Sequence, residues 1–318
     1  MKRFFAFVLA FWMILSACAN DIDATSSVSS EESFISSEGS SEDLASNEVS
    51  SEEPVSSEES VVAVSSEETV SKEPKPFVPV TSVSDYFEKK TFSLSYFSYS
   101  IEYLFHEPMR DTGEKRPLVI FLHGLRDSVT INDLGTADPI VKSLMALENE
   151  DEKYSTYALV PSTPLPNEGW WNDTQLSLFK HMIKELVKEY NIDPCRVYIS
   201  GISMGGMVTC QLVNEMMPYS FAAAVPMSGA YNLTSPDMVH DTAFRIYHSA
   251  VDGTVNVSQS RNLAKQLKDS GHPKFEYIEF KEGSHVSPIY KVFRDNRREF
   301  FDWLFEQKLP NSTLTMPF

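Results

Sequence analysis

Strands alternating with helices over roughly 230 residues, from about Tyr86 to Leu309, predict an α/β fold with a mostly parallel central sheet and helices on both faces. Pro117-Leu118-Val119-Ile120-Phe121-Leu122 is an unbroken apolar run, as expected of a strand covered on both sides. Arg196 to Ser200 reads as a second buried strand and runs straight into Gly201-Ile202-Ser203-Met204-Gly205-Gly206. Residues 204–217 then continue at helical spacing. A strand, a glycine-rich turn and a helix in this order form the junction on which such sheets carry a reactive side chain.

The remaining elements follow in chain order. The aromatic run from Thr91 to Phe105 alternates well enough for one or two leading strands. The apolar strand ends at His123-Gly124-Leu125, and Tyr157 to Pro161 is the next strand. Leu176, Phe179, Ile183, Leu186 and Tyr190 step by three and four, giving an amphipathic helix of about four turns. Beyond the glycine-rich turn, strands are expected at 221–227, 244–248 and 275–280, with helices at 261–268 and 290–305.

A serine held in so tight a turn needs small residues two before and two after it, which Gly201 and Gly205 supply. Gly206 lets the helix approach the sheet. The helix N-terminus offers free N–H groups and a partial positive charge where an oxyanion would form. Ser203 is therefore the candidate nucleophile.

A serine hydroxyl needs a base within hydrogen-bond reach, and the base needs an acid that fixes its tautomer. After such an elbow the acid precedes the histidine in sequence, each in a loop beyond a strand's carboxyl end. The loop after strand 244–248 offers Asp252, and the loop after strand 275–280 offers His285. His240, His248 and His272 are read as structural, and Asp237 and Asp241 as turn and surface acids. The oxyanion donors are expected to be the N–H of Met204 and of Leu125, with Gly124 beside it. His123 is read as pinning that loop. Trp170 and Trp171, and more weakly Tyr231, are candidates for an aromatic substrate wall.

From about Tyr96 to Phe305 the chain resembles the secreted esterase branch of the α/β-hydrolases. That branch takes in feruloyl and acetyl-xylan esterases and polyhydroxybutyrate-depolymerase-like proteins, with phospholipase/carboxylesterase and predicted-peptidase relatives. The resemblance rests on the Pro117–Gly124 strand and turn, Pro161-Ser162-Thr163-Pro164 with Gly169-Trp170-Trp171, and Ile192-Asp193-Pro194-Cys195-Arg196-Val197-Tyr198 leading into the elbow. Phe221-Ala222-Ala223-Ala224-Val225, Ser228-Gly229, Asp252-Gly253-Thr254-Val255 and His285 complete it. Two departures stand out: His248-Ser249 where the family usually has His-Gly, and Ser284-His285-Val286 in place of the usual Gly-His. The resemblance implies an α/β-hydrolase fold and a Ser203–Asp252–His285 triad that works without metal or cofactor.

The N-terminal quarter has a different character. Lys2 and Arg3 precede an apolar run from Phe4 to Leu15, too short for a comfortable membrane span. Leu15-Ser16-Ala17-Cys18 resembles the bacterial lipoprotein box, which implies a signal peptide at 1–17 and an acylated Cys18. No other stretch is apolar enough to span a bilayer. Positions 19–76 hold eighteen serines, fifteen acidic residues and two lysines, with Ser-Ser-Glu-Glu at 29–32, 50–53, 56–59 and 65–68. Such a segment cannot bury enough apolar surface to offset the entropy of ordering, so 18–80 is expected as a disordered tether. It carries −13 of the chain's formal −18. The acidity argues against nucleic-acid binding and favours an extended linker.

The catalytic domain is expected over 81–310, with 311–318 as a tail. Cys195 and Cys210 are expected as free thiols, and no Cys/His cluster has metal-ligand spacing. The composite expectation is a serine esterase on the extracellular face of the cell membrane, held there by its lipid anchor alone. Its substrate would be an ester, such as a feruloyl or acetyl ester of plant polysaccharide. The alternatives are a prolyl-oligopeptidase-like serine peptidase and a non-catalytic binding module; the sequence is silent on oligomeric state.

Overall fold

Eight strands, β1 (Glu88–Ser93), β2 (Ser100–His106), β3 (Arg116–Leu122), β4 (Tyr157–Pro161), β5 (Ile192–Ile202), β6 (Ala223–Met227), β7 (Ala243–Ser249) and β8 (Phe275–Phe280), form one sheet. Their order is β1-β2-β4-β3-β5-β6-β7-β8. The coordinates are a computed structural model that describes residues 85–110, 112–125, 134–163 and 173–316. These belong to a single unit of the chain. The tether, Cys18, Trp170 and Trp171 lie outside the described residues. The hairpin β1–β2 is antiparallel and β2 joins β4 antiparallel, while β3 to β8 run parallel.

Strand β3 shows why its sequence is apolar throughout. Leu118, Ile120 and Leu122 pack into one core layer, and Val119 and Phe121 into the other, because successive strand residues point to opposite faces. Helices α1 (Asp138–Glu150) and α5 (Arg297–Glu306) cover the second layer with Ile140, Leu144, Phe300 and Leu304. Helices α2 (Asp173–Glu189), α3 (Met204–Gln211) and α4 (Ser258–Asp269) cover the first with Leu176, Phe179, Val208 and Leu263.

Four elements differ from expectation. Helix α1 was not anticipated, although Ile140, Val141, Leu144 and Leu147 repeat at helical spacing behind Pro139 at its first turn. Strand β5 begins at Ile192 rather than Arg196; Pro194 cannot donate to the ladder, and the register slips where β5 meets Arg116–Leu118. The helix after Ser203 widens into a π-turn at Leu212–Met216, where Met217 N donates to Leu212 O at 2.7 Å. A similar π-turn at Lys291–Asp295 and a break at Asn296 divide the expected 290–305 helix. An apolar repeat does not distinguish i→i+5 from i→i+4 bonding.

Residues 311–316, set apart above as a tail, fold back onto the domain. Leu314 is fully buried in the first core layer. Thr313 N donates to Tyr219 O at 3.2 Å, and Lys184 Nζ to Met316 O at 2.8 Å.

The sheet order also sets where a site can form. The chain leaves β3 towards β4, then crosses back to β5 on the other side of β3. This reversal opens a crevice beyond the carboxyl ends of β3 and β5.

Candidate active site

Ser203 follows the last residue of β5 and opens α3 with φ 56° and ψ −120°. A non-glycine residue in that conformation costs about 1–3 kcal/mol unless its surroundings hold it there. The surroundings are backbone. Ser203 N donates to Met227 O at 2.8 Å, and Met207 N donates to Ser203 O at 3.0 Å. Gly229 presses so close that a Cβ there would stand 2.1 Å from Ser203 O.

Gly205 is equally hemmed in: a Cβ would stand 2.2 Å from Leu122 O and 2.7 Å from His123 O. Gly205→Ala is therefore expected to cost at least about 2 kcal/mol and to lower Tm by about 4–8 °C. Gly253→Ala, whose added Cβ meets nothing within 4 Å, is the control. Equal melting temperatures for the two variants would show that the turn does not depend on the close approach.

Asp252 and His285 meet directly. His285 Nδ1 lies 2.7 Å from Asp252 Oδ2, so Nδ1 carries the hydrogen and Nε2 is left as the basic nitrogen of the ring. The His285 side chain is 17 % exposed and that of Asp252 is 0 % exposed. Asp252 Oδ1 accepts from Thr254 N at 2.8 Å and Val255 N at 3.0 Å. Burial alone would raise the Asp252 carboxyl's pKa. The N–H groups of His248, His285, Thr254 and Val255 outweigh it and hold the carboxyl well below the usual carboxylate range. Asp252 is thus an anion at every pH at which the domain would work. Ser203, Asp252 and His285 all follow carboxyl ends of parallel strands. Ser203 Oγ makes no hydrogen bond to His285 in this arrangement.

The loop after β3 lies alongside Ser203. A Cβ on Gly124 would come 3.6 Å from Ser203 Cβ, an ordinary contact. His123, fully buried, clamps this loop. Its Nε2 accepts from Thr163 N at 3.1 Å, which places the ring hydrogen on Nδ1, 2.8 Å from Gly124 O. In a trans peptide the N–H points opposite to the C=O. Holding the Gly124 carbonyl towards His123 therefore turns the Leu125 N–H to the other side. Met204, 1 % exposed, is the first helical residue, and its N–H is among those with no partner inside the helix. Tyr231 is half-buried against the first core layer, beyond β6.

Among the rival histidines, His272 is buried, with Nε2 2.9 Å from Val239 O and Nδ1 accepting from Lys274 N. His240 lies 3.9 Å from Asp237. His248 is different: its Nε2 stands 3.2 Å from Asp252 Oδ2. The available signal was its position four residues before the acid, at the end of the same strand. Cys195 and Cys210 are both free thiols. Burial pushes Cys210 up to about 12 and raises Cys195 as well, which disfavours either as a nucleophile at neutral pH. Among the described residues no group of three or more His, Cys, Asp or Glu side chains is arranged to hold a metal ion. No described helix is long and apolar enough to cross a membrane.

A profile of the prolyl oligopeptidase family matches residues 167–246, a stretch that contains Ser203 but neither Asp252 nor His285. Over 91 residues, 29% of this chain, the sequence is 33% identical to a bifunctional acetylxylan esterase/xylanase of Neocallimastix patriciarum, and the match spans 13% of that protein. A thermostable esterase of known structure is 30% identical with a TM-score of 0.62, the match covering 71% of this chain and 64% of that one. A ferulic acid esterase structure, 13% identical, superposes with a TM-score of 0.55 over 69% of this chain and 98% of its own. The chain thus spans a small part of the acetylxylan esterase/xylanase and just under two thirds of the thermostable esterase. With the strand order and the elbow at Ser203, these likenesses identify the α/β-hydrolase fold.

Proposed function

We propose that this domain is a serine hydrolase that cleaves carboxylic esters through an acyl-enzyme. The observation that carries the reading is the His285–Asp252 hydrogen bond, formed between two loops at the sheet edge where Ser203 sits in its strained turn. In the first step His285 Nε2 takes the Ser203 proton as Oγ attacks the ester carbonyl. The Met204 and Leu125 N–H groups receive the oxyanion, and the proton passes to the departing alcohol. Water then repeats the sequence on the acyl-enzyme and releases the acid. Asp252 keeps the imidazole in the required tautomer and stabilises its charged form. In enzymes of this kind the nucleophile–base hydrogen bond often shortens only in the substrate complex.

Feruloyl or acetyl esters of plant polysaccharide are the substrates this reading favours. The local identity to a bifunctional acetylxylan esterase/xylanase supports it, and the 30% identity to a thermostable esterase supports the ester class alone. The acylated Cys18 and acidic tether would hold the domain on the outer face of the cell membrane, within reach of polymers. Trp170, Trp171 and Tyr231 would form the wall against which an acyl ring or sugar packs. A peptidase reading has one observation in its favour, the prolyl oligopeptidase profile over 167–246.

A substrate panel separates the two. The purified protein is expected to hydrolyse acetylated xylan, feruloylated arabinose and short nitrophenyl esters, and to leave acyl-peptide amides nearly untouched. Faster cleavage of the amides would replace the ester reading with the peptidase one.

A further inference from the structure

His248 and Ser249 are the last two residues of β7, both fully buried. As neighbours on a strand they point to opposite faces of the sheet. On one face His248 reaches α4 and the Asp252 turn. Its Nδ1 lies 2.7 Å from Ser260 Oγ. Its Nε2 lies 3.0 Å from Val255 O and 3.2 Å from Asp252 Oδ2. Carbonyl and carboxylate oxygens only accept, so the ring hydrogen sits on Nε2 and is shared between them, while Nδ1 receives the Ser260 hydroxyl. Asp252 Oδ2 therefore stands between two imidazole N–H groups, His285 at 2.7 Å and His248 at 3.2 Å.

On the other face Ser249 Oγ donates to Gly283 O at 2.5 Å, two residues before His285. The same loop is held at two adjoining points, where Lys291 Nζ donates to Glu282 O at 2.9 Å and Ser284 N donates to Ser287 Oγ at 2.7 Å. Gly283 adopts φ +125°, and a Cβ there would collide with the Ser287 side chain at 2.6 Å. The loop can take this path only because residue 283 has no side chain.

We propose that His248 and Ser249 are positioning residues for the Asp252–His285 pair: His248 fixes the carboxylate, and Ser249 fixes the loop that presents the imidazole. The proposal rests on the triad assigned above and adds two members that touch neither substrate nor nucleophile. The need for them is geometric. Asp252 and His285 sit on separate loops after separate strands, and without the His248 N–H the Oδ2 oxygen would answer to His285 alone and could shift as the imidazole gained and lost its proton. With Oδ1 committed to two backbone amides and Oδ2 steadied by His248, the carboxylate keeps one orientation through the cycle. Positional errors of about 1 Å in such machinery cost on the order of 100-fold in rate.

The charged groups around His248 are Asp252 on its own loop and Glu279 on β8. Glu279 is itself paired with Arg261 of α4 through two hydrogen bonds. Removing the His248 N–H leaves Asp252 with one donor fewer, so it should hold the His285 proton more tightly. The acid limb of the rate profile should then move to higher pH.

The test uses the intact protein with His248→Leu, His248→Gln and Ser249→Ala. The readouts are kcat, KM and pH profile on nitrophenyl acetate, and the low-field proton resonance of His285 Nδ1–H. His248→Leu is expected to lower kcat by about 10- to 100-fold with KM within about twofold, to raise the acid limb and to shift the resonance. His248→Gln, whose amide N–H reaches the Nε2 position, should recover most of the rate and return the limb. Ser249→Ala should lower kcat several-fold and broaden the resonance as the His285 loop loosens.

Wild-type kcat and an unmoved acid limb in His248→Leu would overturn the proposal. So would Leu and Gln variants that are equally slow with unmoved limbs, since that pattern means packing alone. If the wild type hydrolysed no ester, the ester reading would fall, and the resonance with its response to His248→Leu would still decide this one.

Discussion

Ser203→Ala is expected to lower kcat on a short-chain nitrophenyl ester by at least about 10⁴-fold while leaving the melting temperature nearly unchanged. The two halves of that expectation have separate causes. Ser203 is held by backbone groups, its N–H on Met227 O and its carbonyl on Met207 N, and alanine keeps both. The close contacts of Gly205 and Gly229 are likewise to backbone atoms. Loss of rate in a fully folded variant therefore reports loss of the attacking oxygen alone. What activity remains would come from the oxyanion donors and binding, typically about 10³- to 10⁴-fold over water. Fluorophosphonate labelling of wild type but not variant, read by intact mass, is the parallel check. Hydrolysis or labelling that survives the substitution removes Ser203 from the chemistry.

Asp252→Asn is expected to lower kcat by about 10³- to 10⁴-fold with a smaller change in KM. The carboxylate meets only donors: two imidazole N–H groups on Oδ2 and two backbone N–H groups on Oδ1. A carboxamide has one oxygen, so its NH₂ must face one of those pairs. Where it faces His285, the imidazole can relieve the clash only by moving its hydrogen to Nε2, and it can then no longer accept the Ser203 proton. Where it faces the backbone, the buried Val255 N–H loses its acceptor at about 1–3 kcal/mol.

The pH dependence follows by sign. The folded carboxyl titrates below its unfolded value of about 4. Its stabilisation is therefore complete above that value and is lost as the pH falls through the folded one. The asparagine variant should lack this acid-side loss of stability. Its rate profile should also shift its acid limb to lower pH, because no anion supports the imidazolium. That is opposite in direction to His248→Leu. An Asp252→Asn enzyme with near-normal kcat would mean the pair is structural.

Local chemistry was legible in the chain where neighbours in sequence are also neighbours in space. The elbow spans six consecutive residues, 201–206, and the close approach of Gly205 to Leu122 O is what the spacing of its glycines implied. Strands β3, β4 and β8 fell where the apolar runs and alternations placed them. Helix ends were less legible. The turn at Leu212–Met216 and the break at Asn296 leave the apolar repeat unaltered, so nothing in the linear pattern marks them. Leu314 was set apart with a tail because the core layer it enters, and the Tyr219 and Lys184 groups that tie down its neighbours Thr313 and Met316, lie far away in sequence.

The same division runs through the site. Order along the chain was enough to nominate Ser203, Asp252 and His285, because sheets with this elbow place their working loops after successive strands. Order read His248 as structural and gave no sign that it, too, faces the carboxylate, as it does. That outcome depends on the register of β7 against β8 and on α4 bringing Ser260 beneath His248. Hydrogen bonds of about 3 Å between loops some thirty residues apart are set by how whole elements pack. A linear pattern carries residue type and spacing but no distance across the sheet, so the pair and its two supports emerged only once the strands were laid side by side.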